Sequence, residues 1–183
     1  MSPAASHDPA IEPDTKDWTW VLDRPCPECG FDAQAVRRTD LSGALRANAA
    51  SWEPVLAATG AGHRPIPSVW SPVEYACHVR DVHRVFAERV RSMLSADDPL
   101  FDDWDQDEAA VRGGYADQDP AVVSVELADA ADEVAALYSS VPEEGWGRRG
   151  RRSNGSAFTV DSITRYHLHD VELHLSDVRR TSR

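Results

Sequence analysis

A chain of 183 residues, 42% hydrophobic and 27% charged, has the size and make-up of one globular domain around a single core. Its formal net charge of −12 repels phosphate backbones and argues against nucleic-acid partners. No run approaches the roughly 20 apolar residues of a membrane span, and the opening MSPAASHDPAIEPD has neither the basic nor the apolar region of a leader. A cytoplasmic protein is therefore the expectation. Three cysteines are too few for a disulfide framework in a chain this long, so reduced thiols are expected. Lys16 is the only lysine, which rules out Schiff-base chemistry anywhere else.

Residues 1–34 read as an N-terminal tail carrying a turn, and residues 35–183 as the folded unit. The first stretch, rich in Pro, Asp, Ser and Ala, shows no periodicity to about residue 17 and suits a loosely attached tail. Cys26 and Cys29 in CPECG have the spacing of half a zinc ribbon. No second CxxC follows, and neither His7 nor His63 has ribbon spacing, so an ordinary turn with two idle thiols competes with a metal site.

Four helices are predicted. The first begins near Leu41, with Thr39 or Asp40 as cap and Leu41, Leu45, Trp52 and Leu56 buried, and is kinked or restarted at Pro54. The second runs from Ser71 to Met93, with Ser71, Pro72 and Glu74 forming a capping box. Val73, Ala76, Cys77, Val82, Phe86, Val90 and Met93 make its buried stripe, His78 abuts the stripe, His83 lies on its flank, and Arg80, Arg84, Glu88 and Arg91 are expected to face water. Residues 95–119 form an acidic loop whose Phe101, Trp104 and Tyr115 suggest that it folds back over a pocket. The third helix opens at Asp119 and Pro120 and runs to about Ser140. A glycine-rich turn or short hairpin then carries Arg148, Arg149, Arg151 and Arg152, either a solubilising loop or a grip for an anionic substrate.

The last helix, about Thr159 to Arg180, holds YHLHDVELHLSDV. Each residue of an ideal helix turns about 100° and rises about 1.5 Å, so Asp170 and His174 project about 40° and about 6 Å apart, close enough to touch one ion. His169 and His174 diverge by about 140°, and His167 lies about 10.5 Å along the axis from His174. Helical arithmetic selects Asp170 and His174 and requires a third ligand from elsewhere. Four helices joined by loops of unequal length imply an all-α four-helix bundle, whose interior is where facing helices converge on a metal.

WSPVEYACHVRDVH (Trp70 to His83) together with HDVELHLSDV (His169 to Val178) resembles the DinB/YfiT-like superfamily, which includes mycothiol-dependent maleylpyruvate isomerases and bacterial thiol transferases. The resemblance covers roughly residues 35 to 180. It implies a divalent metal (Zn, Ni, Fe or Mn) held by His78, Asp170 and His174, with His169 as the alternative ligand if the helix is locally overwound. Many relatives carry histidine at the position of Asp170. Asp81, Glu172 and Asp177 become candidates for orienting the ligands. The implied activity is that of a thiol S-transferase or isomerase in which the metal activates mycothiol or a similar small thiol against an electrophilic substrate. The alternatives are a metal-dependent hydrolase and a non-catalytic helical module that binds metal or pairs as a homodimer in stress responses.

Overall fold

The computed structural model describes residues 11, 16–102 and 104–181; His7 of the expected tail lies outside them. Among the described residues there are six α-helices, α1 (Arg38–Ala50), α2 (Glu53–Leu56), α3 (Pro72–Ser95), α4 (Gln106–Gly113), α5 (Pro120–Ser139) and α6 (Val160–Thr181), and three short strands. The strands are β1 (Leu100–Phe101), β2 (Arg149–Arg152) and β3 (Ala157–Thr159). Helices α1 and α3 each pack against both α5 and α6, so the long helices form a four-helix bundle in which α1 and α3 are diagonal. None of the helices is long and apolar enough to cross a membrane among the described residues.

Local chemistry accounts for these boundaries. The Ser71 hydroxyl accepts from the Glu74 N–H while the Glu74 carboxylate accepts from the Ser71 N–H, and Pro72 occupies the first turn. Arg64 grips the same buried carboxylate at 2.6 Å, which ties the preceding loop to the start of α3. Asp119 caps α5 ahead of Pro120. Helix α1 starts at Arg38 with no side-chain cap, and Asp40 lies inside its first turn rather than serving as the cap. The helix stops before Trp52, and Pro54 restarts the chain as α2. The glycine-rich segment forms the β2–β3 hairpin, and β1 joins β2 in parallel register, Leu100 opposite Arg151. Gly150 is required there, because a Cβ would stand 2.4 Å from the Phe101 ring.

Two expectations for α3 are corrected. Arg80 is buried, not solvent-facing, because Asp81, Gln118 and Glu126 surround its guanidinium. His83 is fully buried, with Nδ1 3.0 Å from His167 Nε2, while the Tyr138 hydroxyl lies 2.8 Å from His167 Nδ1. A consistent proton assignment has the Tyr138 O–H donating to His167 and the His167 Nε2–H donating to His83. Helices α3, α5 and α6 are thus joined by a neutral polar chain inside the bundle.

Burial pushes His83 down to about 4, against about 6.5 in an unfolded chain. The unfolded state therefore binds more protons between these values, so stability holds above about pH 6.5 and is lost as the pH falls toward about 4, by roughly 3 kcal/mol from this residue. Urea midpoints measured across that range should fall, and the His83 ring should stay neutral at pH 6 by nitrogen NMR. A His83 that titrates near 6.5 would show the buried chain to be absent.

Candidate metal centre

Helices α3 and α6 run antiparallel, so His78, near the start of α3, meets residues near the end of α6. The two Nε2 atoms of His78 and His174 are 3.0 Å apart, with the rings near perpendicular at 88°. Asp170, one turn before His174, places Oδ1 3.2 Å from His174 Nε2 and 3.9 Å from His78 Nε2. This carboxylate oxygen is buried, yet neither approach makes it a hydrogen bond. Two imidazole nitrogens and a carboxylate oxygen thus lie within 4.8 Å of one another, facing a common space. That donor set, borderline nitrogen with one hard oxygen, fits a divalent transition metal and leaves further coordination positions open.

The electrostatics suit a cation. Burial alone would raise Asp170, but His174 and His78 hold its carboxyl well below the usual carboxylate range. Burial and the neighbouring His174 lower His78, against the pull of Asp170 and Asp81. Burial opposes charge on His174 as well, yet Asp170 and Asp177 lift it to about 9. Aromatic rings exclude water on one side: Trp70 lies 5.2 Å from the His78 ring and Trp104 stacks on it at 5.3 Å, 19° from parallel.

The remaining sequence candidates scatter. His169 turns away from the His78 and His174 nitrogens toward the N-terminal segment, its ring 5.4 Å from Trp18 and 5.6 Å from Phe31. Asp177 stands 3.7 Å from His174 Nδ1 and also pairs with Arg180. Asp81 is occupied by Arg80, Arg84 and the Tyr115 hydroxyl, and reaches His78 only through its charge. Glu172 bears on Cys29 instead. Arg148 donates to the Met93 and Ala96 carbonyls and so caps the end of α3. Arg149 is exposed, Arg151 pairs with Asp98, and Arg152 alone of the four lines the cavity beside the triad.

That cavity, about 330 Å³, opens between α3, α6, the start of α4 and the segment around Trp18. Arg89, Arg152 and Lys16 bring positive charge to its wall, and Tyr166 and Trp104 bring aromatic surface. Sequence reasoning missed α4, which Asp105 caps by accepting from the Asp107 and Glu108 N–H groups and which ends at left-handed Gly114. The Asp105 cap and the glycine pair were the available signal. Asp107, at the cavity rim, has a buried Oδ1 with no hydrogen-bond partner, and burial together with Asp105 raises its pKa. A larger depression of about 700 Å³ between α1, α2 and α5 is lined by alanines and scattered charges, with no convergent ligand set.

No curated protein matches the chain. Among solved structures it is similar to YfiT from Bacillus subtilis, described as "a probable metal-dependent hydrolase with an unusual four-helix bundle topology". The two share 15% identity over 78% of this chain and 86% of that one, with a TM-score of 0.67, a likeness of fold. The family description "DinB superfamily" matches residues 44–178. That span takes in α3 through the triad on α6, and the chain belongs to the DinB superfamily.

Proposed function

We propose that this protein is a metal-dependent enzyme acting on a small anionic or electrophilic molecule, with His78, Asp170 and His174 as the ligands of a divalent ion. The observation that carries this reading is the buried Asp170 Oδ1, left without a hydrogen bond although two imidazole nitrogens stand 3.2 and 3.9 Å away. A divalent metal there would lower the pKa of a thiol or water at its open face and so supply a nucleophile near neutral pH. The chain's own residues supply the rest. Arg152 and Arg89 hold an anionic group of the substrate, Trp104 and Tyr166 cover its apolar part, and Asp107, with its buried unpartnered Oδ1 on the same lining, is placed to pass a proton.

A thiol transferase or isomerase using mycothiol or a related thiol agrees with the family. Arg89 and Arg152 on the cavity wall suit the carboxylate groups of such molecules. Hydrolysis is the second reading, favoured by the description of YfiT. Both use the same ligand set and differ in the nucleophile admitted.

Elemental analysis of untagged, reconstituted protein should find an ion that is lost in His78→Ala, Asp170→Ala and His174→Ala. Conjugation of a small thiol to an aromatic halide, and hydrolysis of an ester, measured side by side, distinguish the two readings. Chelation should abolish the activity and added metal restore it. A wild-type protein that keeps no ion at this triad after reconstitution sinks both.

Asp107→Asn should lower kcat by about 100-fold with little change in KM, the scale of a lost proton carrier. An unchanged kcat assigns Asp107 to the cavity wall alone.

A further inference from the structure

The segment before α1 and helix α6 together form a second ligand cluster, which the triad does not use. Cys26 Sγ, Cys29 Sγ and a ring nitrogen of His169 all lie within 4.8 Å of one another. Cys26 and His169 are each about 1% exposed, while Cys29 is half-buried and offers a path for entry. His169 Nε2 is buried with no hydrogen-bond partner, an expensive arrangement for an imidazole unless something else meets it.

The CPECG turn is shaped to present both sulfurs to one side. The Cys26 N–H donates to the Phe31 carbonyl at 2.8 Å, and the Gly30 N–H donates to the Cys26 carbonyl at 2.8 Å. Gly30 takes φ +79°, which a side chain would resist, and the Phe31 N–H is directed at Cys29 Sγ. One backbone N–H does not offset burial, which keeps Cys29 a thiol until a metal displaces its proton. No helix begins at these cysteines, so the turn lacks the dipole that activates a redox pair.

We propose that Cys26, Cys29 and His169 bind a second metal ion, Zn²⁺ or a similarly thiophilic divalent cation, which fastens residues 16–36 to α6. Two sulfurs and one nitrogen are softer than the two nitrogens and one oxygen of the triad, so the two sites sort metals by chemistry. Water or Glu172, three residues beyond His169 on α6 and near enough for its charge to bear on Cys29, completes the coordination. The consequence for the cavity is direct: Lys16 and Trp18, which line it, belong to the segment that this ion holds in place. His169 and Asp170 are neighbours on α6 and diverge by about 100°, so one helix serves both ions from adjacent residues.

Cobalt titration of the full-length, chelator-stripped and reduced chain tests this independently of the triad. The wild type should take up two Co²⁺, one of them giving a thiolate-to-cobalt charge-transfer band in the near ultraviolet. Cys26→Ser and Cys29→Ser should lose that band and keep the other ion. His169→Ala should weaken the banded site by more than about tenfold, the scale on which even indirect partners of a metal act. His174→Ala should do the reverse, keeping the band and losing the other ion, so failure of either site is visible separately. Absence of the band in the reduced wild type, or a Cys26–Cys29 disulfide formed in place of metal uptake, overturns the proposal; because the band is read in the wild type, a variant that misfolds leaves the test intact.

Discussion

The approach of α3 to α6 constrains everything near the candidate centre. Two imidazole nitrogens can stand 3.0 Å apart across this interface only if the helices keep one register, and several devices outside the site enforce it. Deeper in, Phe86 stacks on His167 at 4.6 Å and 9°, and His83 meets the same ring. At the far end, Arg148 closes the last carbonyls of α3 just before β2, so the strands leading into α6 are bound to the end of α3. At the near end, the Ser71–Glu74 capping box and Arg64 hold the first turn of α3, two turns from His78. Core packing of this kind shifts between discrete arrangements rather than deforming smoothly, which suits a site whose donors must already be in place.

Buried polarity is distributed accordingly. Helix α3 buries two histidines, a glutamate and two arginines, and α6 buries two histidines and a threonine, a load that costs free energy wherever a partner is missing, as at His169 Nε2. Arg80 draws Asp81 and Glu126 to itself, which keeps Asp81 out of the triad and leaves Asp170 as the carboxylate there. Although the chain carries a net charge of −12, the cavity beside the triad gathers Arg89, Arg152 and Lys16. With Asp105, Asp107 and Asp170 on the same lining, the cavity is close to balanced in charge, and any anionic group would be met at Arg89 and Arg152 rather than by a uniformly basic surface.

What could be read from the sequence is what local rules determine. Caps at Ser71 and Asp119, the stripe of α3, the restart at Pro54 and the bundle class all follow from spacing and from proline, serine and aspartate chemistry. The choice of Asp170 beside His174 came from rotation about one helix axis, and the structure sets those two together with His78. Illegible were the pairings made across long separations. His83 looked peripheral because its partner His167 lies 84 residues away, and Arg80 looked solvated because Glu126 lies on another helix. Helix α4 was hidden in an acidic run whose charges outweighed its Asp105 cap. The thiols of CPECG lacked a third donor in sequence terms because His169 is supplied from the other end of the chain.

The stacking of Trp104 on His78, and of Trp18 beside His169, has an optical consequence. Each candidate ligand group has an indole within about a ring's width, and the two indoles come from different parts of the chain. Emission from Trp104 therefore senses charge and protonation at the triad, and emission from Trp18 senses the CPECG turn. Of the chain's six tryptophans, Trp104 and Trp70 both lie against His78 while Trp18 lies against His169, so the triad and the CPECG turn have different indole neighbours.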